Sequence, residues 1–268
     1  MILSRLGGEL LVVMQPDHGT HSGVIATAWG NERMPGPELP AAVHLAATHH
    51  DDGWAAWERH PGIDDATGVP VQFVDLTPLE HVPLYQYGIA RAAQIDPMAG
   101  LLVSMHGAGL YNDRYGTFRL AEQHFDDAER ALVEEFLADQ MALQRRLATA
   151  AAPIVGATLH DPPHEDPLVW RQYLLLQAWD RLSLQFAYRL AADGEIAPVP
   201  AAGGDAALRC IATGRFSMRL DPYPMSESAV VLPLVARRVP DRRYRAPEEF
   251  LSALGAAATE VIECRVHA

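Results

Sequence analysis

The chain contains no lysine: all 21 of its basic residues are arginines. That excludes Schiff-base catalysis and the lysine of a phosphate-binding P-loop. Only two cysteines occur, Cys210 and Cys264. They make no disulfide framework, and a reducing cytoplasm is the expected setting. No apolar run approaches the ~18 residues that a membrane span needs. The opening "MILSRLGGELLVVM" has too short an apolar core, and no small-residue cleavage site, to read as a signal peptide. A basic stripe is missing too: the net charge of −13 argues against nucleic acid as a partner. Also absent are a Gly-x-Ser-x-Gly elbow, His-Glu-x-x-His, Cys-x-x-Cys and a glycine-rich nucleotide loop. Ser104 and His106 lie two apart on an expected helix and point in different directions, so they form no Ser-His dyad.

What is present is an ordinary globular composition with 12 histidines, and "HLAATHHDDGW", His44 to Trp54, concentrates them. Two histidines and two aspartates side by side at the end of an apolar, helix-forming run cost desolvation wherever they approach a core. "ELLVVMQ" reads as a short strand and "DHGTHSGVIATAWG" as a helix closed by Gly30. A second helix is expected from near Pro40 through His50 towards Trp57. "TPLEHVPLYQYGIARAAQ" carries a Thr77-x-x-Glu80 capping box with Pro78 at the first helical position. Asp96 and Pro97 open another helix, a charged one runs from about Leu120 to Ala148, and Asp166 and Pro167 open one that stops at Gly194. "EIAPVPAAGGDAA" reads as a connector. Beyond it, "LRCIATGRFSMRLDPYP" and "SAVVLPLVARRVP" alternate like strands, "APEEFLSALGAAA" reads as a helix and "TEVIECRVH" as a strand. The expectation is a mainly-α protein: a helical bundle over 1–195 with a small C-terminal α+β subdomain over 196–268.

On those helices the unusual polar residues fall in a definite order: His18 and His21 on the first, His50 and Asp51 on the second, His81 on the third, His106 on the fourth, Asp180 on the last. Imidazole and carboxylate suit Mn, Fe, Zn, Ni and Cu, and facing helices commonly build such sites. Taken singly, each histidine has a bland explanation, His81 as a helix cap and His106 as a small-residue helix contact. Asp180, amid Leu174, Leu175, Leu176, Trp179, Leu182 and Leu184, would otherwise need a salt bridge with Arg181 or Arg171. His49 and Asp52 read as supporting or solvent-facing, and His124, His160 and His164 as structural. Trp54, Trp57, Tyr111 and Tyr115 could wall a pocket, although aromatic packing explains them equally well.

The order His, His-Asp, His, His, Asp resembles the HD-domain superfamily of metalloenzymes, in its dinuclear form. "LAATHHDDG" looks like that superfamily's apolar run and His-Asp-x-Gly, and "QAWDRLS" resembles its closing helix. Over nearly the whole chain, "QPDHGTHSG", "HHDDGW", "LVSMHGAGLY", "LLLQAWDRLSL" and "LDPYP" resemble an uncharacterised bacterial family, domain of unknown function 3891. The HD resemblance implies two divalent ions, Fe or Mn first. One would be held by the first-helix histidine, His50, Asp51 and Asp180, the other by Asp51, His81 and His106, with Asp51 bridging. His18 is favoured as the first ligand, with His21 the alternative. Trp54 stands where many HD hydrolases have lysine, so Arg59, Arg114 or Arg181 would have to make the cationic contact to substrate. Trp54, Arg59, Tyr111 and Arg114 are the candidate substrate contacts, and His50, Asp51 and Arg181 the candidate catalytic residues. Three functions stay open: a metal-dependent hydrolase of a small phosphoester-like substrate, a diiron oxygenase, and a non-catalytic metal-binding or interaction protein. The expected partner is a small molecule, with neither nucleic acid nor membrane, and a homo-oligomer is left open.

Overall fold

The computed structural model of the chain describes residues 1–115 and 125–268. It opens with a hairpin, Ile2–Leu6 (β1) and Glu9–Val13 (β2). Gly7 and Gly8 join the strands with φ of 63° and 88°, the left-handed pair that a two-residue hairpin turn requires. Gln15–Ala28 (α1) follows directly, then Pro40–His49 (α2), which gives way to short 3-10 turns at Asp52–Ala55 and Trp57–Arg59. Pro78–Ile95 (α3) begins where the sequence places its capping box, with the Thr77 amide donating to Glu80 Oε2 at 3.1 Å. Pro97–Gly109 (α4) is capped by Asp96, which accepts from the Ala99 amide at 2.8 Å. Asp127–Val155 (α5) and Pro167–Ala187 (α6) complete the helical part. Residues 120–124 of the expected charged helix, and His124 with them, lie outside the described residues.

The rest of the chain is Gly194–Ala201 (β3), Gly204–Gly214 (β4), Ser217–Asp221 (β5), Ala229–Pro240 (β6), Pro247–Ala256 (α7) and Thr259–His267 (β7). All the described strands join one sheet in the order β1-β2-β6-β7-β5-β4-β3. Its pairs are antiparallel except β5 with β7. This corrects the expected mainly-α bundle with a small C-terminal subdomain. Helices take 49% of the chain and the sheet 23%, which is an α+β fold. The sheet draws on both ends of the chain, with Glu9 opposite Pro240 and Val12 opposite Arg237.

Both faces of the sheet are covered at that end, so β2 is apolar without alternation. Leu11 and Val13 face the main core with Ile25, Trp179 and Leu234, whereas Leu10 and Val12 face a second core with Val239, Phe250 and Leu254. β3, read from sequence as a connector, contains Pro198 and Pro200. Prolines are tolerated on edge strands and at bulges. β3 is an edge of the sheet, and its register with β4 shifts between Ile196 and Val199. Among the described residues no helix is long and apolar enough to cross a membrane.

Candidate metal centre

The site is built where α2 breaks. Instead of continuing to Trp57, the helix ends at His49, and Gly53 lets the following turn press against α3. A Cβ at Gly53 would lie 2.0 Å from the Leu84 carbonyl oxygen. This close approach sets His50 and Asp51 beside α3 and α4. On the other side α1 meets α2 through its own glycines, since a Cβ on Gly19 would lie 2.6 Å from the Thr48 carbonyl oxygen. α6 brings Asp180 up from below.

His18, His50, Asp51, His81, His106 and Asp180 are all buried. Of these, His18, His81, His106, Asp51 and Asp180 line one cavity of about 30 Å³, together with Gln15, Phe73, Tyr85 and Tyr115. A buried water needs about 10–15 Å³, so this space suits ions or water and is too small for a whole substrate. His18 Nε2 lies 2.7 Å from Asp180 Oδ1 and 3.9 Å from Asp51 Oδ2. The His50 Nδ1–H donates to the Ala47 carbonyl at 2.8 Å, which turns Nε2 inward, 3.4 Å from Asp51 Oδ2 and 3.5 Å from Asp180 Oδ1. The His106 ring stands edge-on to His50, centroids 4.9 Å apart. His81 places Nδ1 2.6 Å from the Tyr111 hydroxyl, and its ring packs on Tyr85 and Trp54. Tyr85 donates to Asp51 Oδ1 at 3.2 Å and Tyr115 donates to Asp180 Oδ2.

Electrostatics follow from this crowding. Burial pushes His81 and His106 down to about 4, with the charge on His50 adding to the effect at His106. Burial also lowers His50, but the Asp51 and Asp180 carboxylates outweigh it and lift the ring to about 9. For Asp180, burial works towards neutrality, and the hydrogen bonds and charges of His18 and His50 hold the carboxyl well below its usual range.

Among the described residues two groups have ligand atoms all within 4.8 Å of one another: His18 with His50 and Asp180, and His50 with Asp51 and His106. The donor set fits a divalent cation, because it mixes imidazole with carboxylate. Among the described residues His50 Nε2 and His106 Nδ1 are buried without a hydrogen-bond partner. Each such group costs about 1–3 kcal/mol, and a cation satisfies bare nitrogens and carboxylate oxygens together. His81 lines the cavity but belongs to neither group.

Of the two first-helix histidines, His18 meets Asp180. His21 points to Ser183, its Nδ1 2.8 Å from the hydroxyl, and burial brings it down to about 3. Asp180 pairs with imidazole and phenol, while Arg171 pairs with Glu38 at 3.2 Å. Arg181 donates to the carbonyls of Gln177, Ala197 and Pro198 and lies over the Tyr115 ring, one residue removed from the cavity. Trp54 is buried behind His81, Arg59 is exposed on its turn, and the Arg114 carbonyl accepts from Tyr173 at 3.1 Å. His49 bonds Asp52 at 2.9 Å, away from the centre. Sequence reasoning missed Tyr85, Ser183 and Gln15. The available signal was helical spacing: Tyr85 is four residues after His81 and Ser183 three after Asp180, each on the face of a candidate ligand.

An α+β protein with a buried histidine–aspartate centre is the class that fold and site define. The chain belongs to the protein family of unknown function 3891 (DUF3891), whose model matches residues 1–241. No curated protein and no solved structure matches it.

Proposed function

We propose that the protein is a metal-dependent hydrolase of a small phosphoester-like substrate, with an HD-type site carried on an α+β fold. The observation that carries this reading is the convergence of three imidazoles and two carboxylates from five helices or helix ends on one small cavity, with imidazole nitrogens left bare. In it His18, His50 and Asp180 hold one divalent ion, and Asp51 and His106, joined by His81, hold a second. Fe or Mn is the first choice for both. Such ions supply Lewis acidity, polarising a substrate oxygen and making water nucleophilic at neutral pH.

The chain's own part is orientation and exclusion of water. The Ala47 carbonyl fixes the His50 ring, and Tyr85 and Tyr115 each tie down one oxygen of Asp51 and Asp180, leaving the other oxygen for an ion. The body of the substrate needs more room than the centre offers. A neighbouring cavity of about 140 Å³ shares Leu184 with it and is lined by Arg181, Gln185, Tyr188, Arg189 and Glu195. The two guanidinium groups there make Arg181 the best supported of the three arginines considered for an anionic substrate.

A diiron oxygenase is the second reading. It is favoured by the small volume and the ring edges of Trp54, Tyr85 and Tyr115 around the histidines. The deciding experiment combines elemental analysis with turnover. About two ions per chain, falling to about one in His50→Ala and in Asp51→Ala, with anaerobic phosphate release from a panel of small phosphoesters, supports the hydrolase. Ferrous-dependent oxygen consumption without phosphate release overturns it in favour of the oxygenase. Metal without either reaction overturns both enzyme readings and leaves a binding protein.

A further inference from the structure

The cavity beside the metal centre has an unusual charge for a protein of net charge −13: two guanidinium groups, Arg181 and Arg189, face it with one carboxylate, Glu195. α6 is the wall between the two spaces. Asp180 and Leu184 line the metal cavity, while Arg181, Leu184 and Gln185 line its neighbour, so adjacent stripes of one helix serve both. Arg181 is only 5% exposed. A buried charge is costly unless it is paired, yet Arg181 spends its hydrogen bonds on the backbone carbonyls of Gln177, Ala197 and Pro198. Asp180, its neighbour in sequence, has Oδ1 against His18 and Oδ2 against Tyr115. Arg189 donates to the Asp193 carbonyl at 2.9 Å. Among the described residues neither guanidinium forms a salt bridge with a carboxylate. A neutral amide could hold the same carbonyls, so the tie between α6 and β3 does not account for the charge. A guanidinium has five N–H groups, and the three bonds of Arg181 leave two for a ligand.

We propose that the substrate is a phosphoester of a small hydroxy acid, whose phosphate reacts at the metal centre while the carboxylate at its other end is held by Arg181 and Arg189. The charge count selects the carboxylate. Two guanidinium groups and Glu195 leave one net positive charge, which a carboxylate neutralises. A second phosphate, with about 1.5 to 2 negative charges at pH 7, would overshoot and meet Glu195 with like charge. Size agrees: a water needs about 10–15 Å³, so about 140 Å³ takes a carboxylate with the carbons that carry it. In the reaction the oxygen of water joins phosphorus as the ester P–O bond breaks. The water's proton goes to the released alkoxide, so the products are phosphate and the hydroxy acid. This inference rests on the hydrolase reading and names its substrate class.

The test compares turnover, by the Mn²⁺-loaded full chain, of phosphoesters of ω-hydroxy acids with two to five carbons and of their carboxamides. The best acid is expected to exceed its carboxamide in kcat/KM by about 10- to 100-fold, the worth of hydrogen bonds to a charged group. The ratio should fall towards one in Arg181→Gln, which keeps a donor for the carbonyls, and in Arg189→Gln on the exposed rim. Acid and carboxamide are compared on the same protein, so lost stability or metal cancels from the ratio. Equal kcat/KM for acid and carboxamide, or a ratio unchanged in both variants, overturns the inference and leaves the hydrolase reading standing. Faster turnover of propane-1,3-diol bisphosphate than of any acid overturns the choice of carboxylate. No phosphate release from these esters or from phenyl phosphate overturns the hydrolase reading, and the substrate class with it. Saturation-transfer NMR of the chelator-treated chain gives a readout without turnover: 3-hydroxypropanoate is expected to bind, and to lose binding in Arg181→Gln. No binding, or binding that survives the variant, overturns the assignment of the carboxylate to Arg181.

Discussion

The Tyr85 hydroxyl donates to Oδ1 of Asp51 at 3.2 Å, and both residues are buried. In the metal-free chain this bond is a substantial part of what solvates the carboxylate. Hydrogen bonds to charged groups contribute about 1.5–3 kcal/mol. Tyr85→Phe should therefore destabilise the chelator-treated protein by about that much. With saturating Mn²⁺ the loss should be smaller, because the released oxygen can turn to the ion. Thermal unfolding in EDTA and in Mn²⁺ checks this. Equal losses in the two conditions would remove Asp51 from the ligands.

His81 is the ligand that needs its own test, since it lies outside both compact groups and its Nδ1 is already matched to the Tyr111 hydroxyl at 2.6 Å. His50 belongs to both groups and has one free nitrogen, so it can serve only one ion. A second ion then depends on Asp51, His106 and His81. His81→Ala should lower the metal content from about two ions per chain to about one, while Asp180→Asn should remove the other ion. Elemental analysis of the two purified variants distinguishes them, and two ions retained in His81→Ala would exclude His81.

These residues were legible because they break a rule of burial. Asp180 among leucines and tryptophan, and His50-Asp51 at the end of an apolar run, cost too much to be incidental. The helices were legible from their caps, Asp96 and Asp166 accepting first-turn amides where the sequence has Asp-Pro. The sheet was not, because its decisive pairing, β2 against β6, joins residues more than 200 positions apart, and local periodicity carries no trace of it. β3 hid behind its prolines, whose edge position exists only once the sheet is formed. The roles of Tyr85 and Ser183 were hidden for a related reason. An aromatic or a serine inside a helix is unremarkable until the neighbouring helix supplies Asp51 or His18.

Gly53 is where fold and site meet. Its missing side chain admits the Leu84 carbonyl, and a Cβ there would also lie 3.1 Å from the Gly88 amide. Both neighbours are helical backbone and give way poorly. Gly53→Ala should cost about 1–3 kcal/mol or more by overpacking and push Asp51, two residues earlier, away from the cavity. Urea unfolding and metal content should fall together. A stable variant with full metal loading would show that the turn relaxes without moving Asp51.

Arg181 separates a structural role from a substrate role. Its Nη1 donates to the Ala197 carbonyl at 2.7 Å and its Nε to the Gln177 carbonyl at 3.1 Å, so it ties α6 to the edge strand β3 while facing the cavity beside the centre. Arg181→Ala removes a charged donor and leaves the Ala197 carbonyl without it, a loss of about 3 kcal/mol from the two effects. Arg181→Lys retains one charge but loses the planar fork, so stability should be recovered in part. Metal content should be unchanged in both, because the hydrogen bonds of Arg181 go to backbone carbonyls. If Arg181 also holds an anionic substrate, KM rises in both variants, and more in Arg181→Ala. A drop in metal content would instead show that Asp180 depends on its neighbour through Tyr115, whose ring Arg181 covers and whose hydroxyl Asp180 accepts.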